Sequence, residues 1–269
     1  MTGITPVAKK TVKDLVTSKR VAFTLAEVFS PHCAGRRKIA FTLAEVLITL
    51  GIIGIVAALT MPSVIEKHQK QVTVNKLKKV YSTLSQMTIR TYADNGPVSD
   101  FLTSGERVNT NKTKQFFNTY WLPYFNEPIV ANFTFYNRTD LFTLLNGQRY
   151  GVYIYSDYAA GRILFSTQEG TIYFVFIITW AKDDDNQNIE LYNTIQQVYI
   201  DINGTKSPNK FGKDVFVFIV DFNNNIVKPF CSTYSTNDIN NNCKKNNIGD
   251  CCADKIIRDG WQIKDDYPW

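Results

Sequence analysis

From Phe41 to Met61 the chain runs for 21 residues with a single charge, Glu45. A membrane-spanning helix needs about 20 predominantly apolar residues, so this stretch is long enough to cross a bilayer. The charge is the anomaly. A carboxylate at a bilayer centre costs roughly 2.5–3.5 kcal/mol on insertion scales, and Glu45, fifth in the run, therefore requires a partner or a route to the interface.

The run is entered through a repeated octapeptide, VAFTLAEV at 21–28 and IAFTLAEV at 39–46. After the first copy the chain continues as FSPHCAGRRK, after the second as LITLGIIGIVAALTM. Pro31 removes a backbone donor and breaks a helix interior, so only the second copy opens an apolar segment. The first reads as the relic of a local duplication or of an upstream start codon rather than as a second working site.

Charge sorts along the chain in the same way. The whole sequence has 30 Lys and Arg against 24 Asp and Glu, but residues 1–40 hold eight of the cations and two of the acids, which leaves 22 against 22 downstream. Excess Lys and Arg next to an apolar helix marks the cytoplasmic side, so residues 41–269 are expected across the membrane. Net charge of this origin does not indicate a nucleic-acid surface. A secretory signal has an apolar core of about 7–15 residues before a small-residue cleavage site, and this core is longer. A plain membrane anchor accounts for the length and leaves Glu45 unexplained.

Arg36, Arg37 and Lys38, then Ala40, Phe41, Thr42, Leu43 and Glu45, then the apolar Val46 to Met61 and finally Pro62 form a pattern that resembles the amino-terminal processing and assembly signal of type IV pilins and of the pseudopilins of type II secretion systems. The resemblance covers residues 36–62. It implies that a prepilin peptidase cuts on the cytoplasmic side between Ala40 and Phe41 and methylates the new amine; the family's usual residue before the cut is glycine, where this chain has the also small Ala40. It implies that Glu45 meets the Phe41 amine of a neighbouring subunit and so sets the stagger between helices, the alternative being a carboxylate that reaches the headgroups. The implied partners are the peptidase, other pilin or pseudopilin subunits in a homo- or hetero-polymer, an inner-membrane assembly platform and the lipid bilayer, with nucleic acid entering only for an uptake pilus. The implied location is a single pass through a bacterial inner membrane, the C-terminal domain periplasmic or extracellular, and a filament after assembly.

Beyond Ser63 the helix pattern continues and becomes one-sided. Val74, Leu77, Val80, Tyr81, Leu84 and Met87 recur at three- and four-residue spacing, the stripe of an amphipathic helix, and DNGP at 94–97 ends it. A continuous helix from Phe41 to about Ala93 would be roughly 80 Å long at 1.5 Å per residue, with Gly51, Gly54 and Pro62 placed to kink or loosen it. Downstream, segments 150–158, 171–180, 195–202 and 214–222 are rich in β-branched and aromatic residues between Gly, Asn and Asp clusters, which reads as strands of an antiparallel sheet covered on one face by the helix. The second is apolar throughout and is expected to be central. Residues 97–149 show short apolar pieces and turns without a clear order. The expected organisation is a cytoplasmic leader at 1–40, a transmembrane half-helix at 41–62, an amphipathic half-helix at 63–93 and an extracytoplasmic domain at 94–269. The fold class is α+β, and the resemblance makes it pilin-like.

Cys33 lies in the leader, which leaves Cys231, Cys243, Cys251 and Cys252 within 22 residues. An even, clustered set outside the cytoplasm reads as two disulfides. Adjacent cysteines rarely pair, so Cys231 and Cys243 are expected to join Cys251 and Cys252 in either order. A four-thiolate zinc site is disfavoured because the spacing lacks paired C-x-x-C arms.

In DINGTKSPNKFGKD, residues 201–214, Asp201 and Asn203 alternate as the oxygen ligands of a calcium loop do, with Asp214 closing the stretch, but the distal bidentate glutamate is missing. Secretion pseudopilins, which this chain resembles, can hold calcium in a loop near the end of their domain. A strand-connecting Asn-Gly turn is the preferred reading, and no other cofactor is expected. The acidic run at 183–185 reads as a solvated loop. Catalysis finds little support: residues 41–269 hold one histidine, His68, among charged helix neighbours, and there is no Walker A loop or nucleotide-binding glycine fingerprint. The chain is expected to be a structural subunit and not an enzyme. The competing class is an anchored extracytoplasmic domain that binds a ligand as an adhesin or carbohydrate-binding module, or carries an enzyme, and uses the helix only as a tether. Its fourteen tyrosines are the residues that would build such a surface.

Overall fold

The structure is a computed structural model and describes residues 41–102, 106–130, 142–150 and 161–269. The leader, Cys33, the first octapeptide, Ala40 and all but the first residue of the expected strand 150–158 lie outside the described residues. The chain divides into two compact units, one ending at Val56 and one spanning Ala57–Trp269.

In the first unit, residues 41–56 are exposed at every position and form the start of helix α1, Leu43–Asn95. A helix apolar on all sides does not face water, and this one is long and apolar enough to cross a membrane.

In the second unit α1 passes through Pro62, whose missing N–H leaves the Ala58 carbonyl without its helical donor. The helix then acquires a buried side. Val74, Leu77, Val80, Leu84 and Met87 are buried, and Tyr81 packs half-buried against Phe218 and Trp261, so every residue of the expected stripe meets the core. The helix ends at Asn95, where Gly96 adopts φ +75° and its N–H donates to the Tyr92 carbonyl at 2.9 Å; glycine takes that conformation without a Cβ clash.

The sheet has six strands in the order β1 (Ile129–Val130), β4 (Arg162–Ser166), β5 (Ile172–Lys182), β6 (Asn188–Asp201), β7 (Val215–Asp221) and β8 (Ile226–Pro229), all antiparallel. The apolar strand expected to be central, β5, lies between β4 and β6. A register shift between Phe176 and Ile178 divides its pairing with β6. Gly161, at φ +65°, leads into β4, and a Cβ there would fall 1.9 Å from Ile178 Cγ2.

Alternation along the strands supplies two apolar faces. Val198 and Ile200 of β6, with Phe216 and Phe218 of β7, share one core with α1 and with α2 (Thr110–Tyr120). Tyr199, Val215 and Val217 turn the other way, onto Phe142 of β2 (Phe142–Thr143), Tyr150 of β3 (Arg149–Tyr150) and Phe211. The helix covers one face of the sheet as expected, and a short β2–β3 hairpin and the Phe211 turn cover part of the second. This double burial explains why β5 and β7 read as continuous apolar runs instead of alternating.

Helix α2 falls in the stretch that sequence left unordered. Asn109 caps it, its side chain accepting from the N–H groups of Asn111 and Lys112 at 2.9 and 3.1 Å. The helix delivers Phe116, Phe117 and Tyr120 to the main core, followed by Trp121, whose indole N–H donates to Gln196 at 2.9 Å. Two short C-terminal helices, α3 (Thr236–Asn242) and α4 (Cys252–Arg258), close the domain.

Candidate functional site

The helix start carries the motif residues. Thr42 precedes the first helical residue, and its backbone N–H and hydroxyl both donate to Glu45 Oε2, at 2.8 and 2.9 Å. In return the Glu45 N–H donates to Thr42 Oγ1 at 3.2 Å. This is a capping box, Thr-x-x-Glu, which satisfies donors that the first helical turn leaves without partners. In an apolar medium each such unsatisfied group costs several kcal/mol, so the carboxylate that is expensive in lipid offsets a second expense beside it. From the sequence alone Glu45 requires a partner or a route to the interface. The T-x-x-E signal for a local one was present at 42–45, and again in the first octapeptide as Thr24 and Glu27. Phe41 is 78% exposed and stands just before the cap; Ala40 lies outside the described residues.

Asp201, Asn203 and Asp214 do come together. The Asn203 N–H donates to Asp201 Oδ1 and its side-chain Nδ2 to Asp214 Oδ2, each at 3.0 Å. Asp214 also accepts from the N–H groups of Asn209, at 3.0 Å, and Lys210. Burial pushes the Asp201 carboxyl up to about 7 and raises that of Asp214 as well. A calcium shell needs oxygens that converge on one point. Here Asn203 turns its nitrogen toward Asp214, its Oδ1 is buried without a hydrogen-bond partner, and three N–H donors already occupy the Asp214 carboxylate. So arranged, Asp201, Asn203 and Asp214 close a turn on themselves.

The four cysteines pair as Cys231–Cys251 and Cys243–Cys252, with Cα separations of 5.3 and 5.0 Å. One of the two orders left open by the sequence is thus selected. Cys243 and Cys252 belong to the main core, whereas Cys231 and Cys251 sit with Ile239 in a small satellite cluster. Asp254 crosses between them, its Oδ2 accepting the Cys231 N–H at 2.9 Å while Oδ1 is buried without a hydrogen-bond partner; burial pushes this carboxyl up to about 6. Asp250 approaches the sulfurs of Cys231 and Cys251, but those sulfurs are bonded to each other and supply no thiolate for zinc.

His68 is exposed on α1. Tyr120, Tyr173, Tyr192, Tyr199 and Tyr267 are buried, while Tyr92 and Tyr234 stand about half exposed. Fold and helix start together define a class: a protein with, among the described residues, one candidate membrane-spanning helix, continuous with an amphipathic helix that packs on a disulfide-bonded antiparallel domain. The chain belongs to a family of unknown function, DUF6613, whose model matches residues 63–269. Comparison with curated proteins and with solved structures gave no match.

Proposed function

We propose that the chain is a pilin-like structural subunit, cut between Ala40 and Phe41 by a prepilin peptidase, methylated, and assembled into a type II secretion pseudopilus or a type IV pilus. The observation that carries this reading is the junction at residues 36–62: a basic stretch, a small residue, then Phe41, a Thr42–Glu45 cap and an apolar helix with no further charge. A helix that leaves lipid while still continuous with the stripe Val74–Met87 suits a subunit that is drawn out of the membrane and packed against others. On this reading the protein resides in a bacterial inner membrane with residues 63–269 outside the cytoplasm, where disulfides persist. Its partners are the peptidase, an assembly platform and further subunits, and it performs no catalysis of its own.

The test is the mass of the mature amino-terminal peptide, from protein made in its own host. A terminus at Phe41 carrying one methyl group supports processing. An uncut leader, or a cut near Ala58 by an ordinary signal peptidase, sinks it. The second reading, a binding or enzymatic domain tethered by the same helix, is favoured by the half-exposed Tyr234 on the disulfide-bonded lobe, and would be supported by normal activity of a form that does not assemble.

A further inference from the structure

The apolar part of α1 ends at Met61 and Pro62. The first α1 residues that line a groove with the sheet domain follow within two turns, and His68 is only about 10 Å further along the helix axis than Met61. That groove has a volume of about 450 Å³ and lies between His68, Val72 and Lys76 of α1 and the segment Ile202–Asp214, with Trp269 closing one side. The segment carries Lys206, Lys210 and Lys213, and Lys213 Nζ lies 5.9 Å from the Trp269 ring centroid. On the other flank of α1 a second groove sets Lys67 and Lys70 beside Trp261.

This end of the domain is therefore basic, although the chain from Phe41 onward is neutral by count. Lys70 pairs with Glu66 at 2.6 Å. None of Lys67, Lys206, Lys210 and Lys213 has an ion-pair partner among the described residues. The acidic side chain that lines the first groove, Asp214, is buried and accepts from Asn203, Asn209 and Lys210. Unneutralised lysines gathered where a helix emerges from lipid attract anionic headgroups, and tryptophan concentrates at the same depth because its ring is amphipathic.

We infer that the Lys206–Lys213 turn, with Lys67 of α1 and the rings of Trp261 and Trp269, forms a surface that holds the domain against anionic phospholipid headgroups before assembly. The occupant is a bilayer, because the chain itself leads from the lipid into the groove; a free anion would have no such continuity. The inference rests on the reading of residues 43–61 as a membrane span.

The experiment uses the full chain in nanodiscs of phosphatidylcholine alone or of phosphatidylcholine with phosphatidylglycerol. Lysine acetylation is followed by mass spectrometry and amide exchange is measured over residues 43–61. Lys182, at the opposite end of β5 from Ile172 and about 33 Å along the strand, is the internal reference. The expected result is acetylation of Lys206, Lys210 and Lys213 slowed several-fold in the anionic discs only, reversed by high salt, with Lys182 unchanged. In a Lys206→Glu, Lys210→Glu, Lys213→Glu variant the protection of Lys67 in anionic discs should also be lost. Equal lysine reactivity in both discs, with residues 43–61 protected from exchange, overturns the headgroup surface and leaves the span intact. Rapid exchange over 43–61 in both overturns the span, and the inference with it.

Discussion

Glu45 and Thr42 satisfy each other: one carboxylate oxygen accepts both the backbone N–H and the hydroxyl of Thr42, at 2.8 and 2.9 Å. The carboxylate thus has a use inside its own chain whether or not a neighbour is present. Three substitutions separate capping from charge. Glu45→Gln keeps an acceptor for the cap and removes the charge, Thr42→Ala removes the hydroxyl and keeps the charge, and Glu45→Ala removes both. Loss of the Thr42 cap should cost about 1 kcal/mol of helix stability. If charge drives assembly, Glu45→Gln and Glu45→Ala should both abolish filament incorporation while membrane insertion and folding persist, and Thr42→Ala should still incorporate. Incorporation of Glu45→Gln at the normal level would assign the residue to capping alone.

The stripe on α1 makes a sharper claim about stability. Leu84 is fully buried between the helix and the sheet, whereas Ile89, on the same helix, is 60% exposed. Leu84→Ala should destabilise the domain by about 2–5 kcal/mol through lost burial and the cavity left behind. Ile89→Ala should fall within about 0.5 kcal/mol. Chemical denaturation followed by tryptophan fluorescence would distinguish them, and comparable losses at both sites would mean that the exposed face is covered in the protein as isolated.

The disulfides should prove unequal. Cys243–Cys252 sits in the main core and Cys231–Cys251 in the satellite cluster. Removing a native disulfide from a small domain typically costs about 2–5 kcal/mol. A Cys243→Ala, Cys252→Ala variant should lower the melting temperature of the whole domain. A Cys231→Ala, Cys251→Ala variant should instead loosen the lobe around Ile239, seen as faster amide exchange over residues 231–242. Partial reduction with stepwise alkylation would check the pairing, and a Cys231–Cys252 link would refute it.

Burial of Asp254 gives stability a pH dependence of unusual sign. In the folded protein its carboxyl keeps the proton up to about pH 6, while in the unfolded chain it releases it near pH 4. The native state therefore binds more protons between those values, and the contribution of this group to stability falls as pH rises through that window. Asp254→Asn, which mimics the protonated side chain, should flatten the change in melting temperature between pH 4 and pH 7 and leave the protein no less stable at pH 7. A steeper profile in the variant would show that the charged form is the one the fold favours.

Much of this architecture was legible in the residues. The apolar run, the stripe Val74–Met87, the turn at 94–97 and the strands at 171–180 and 214–222 all depend on periodicity and turn chemistry, which are local. What escaped was non-local or weakly patterned. Helix α2 is written in Thr, Asn and Lys, residues with little helical bias apart from Lys, and it exists because Phe116, Phe117 and Tyr120 find a core to enter. Strand β6 begins seven residues before the expected segment; in its first half, NIELYNT at 188–194, only Ile189 and Leu191 alternate with polar neighbours before Tyr192 breaks the period, too short a pattern to mark a strand alone.

Sequence alone determined that residues 41–61 suit lipid, that Val74 to Met87 must bury one side, and that four clustered cysteines would be bridged, because each follows from composition and spacing along a single segment. Tertiary structure decided which cysteines join, that part of the sheet's second face is also covered, and that Asp201, Asn203 and Asp214 meet across one turn. Those outcomes depend on which distant atoms arrive at the same place, and spacing along the chain carries no information about that.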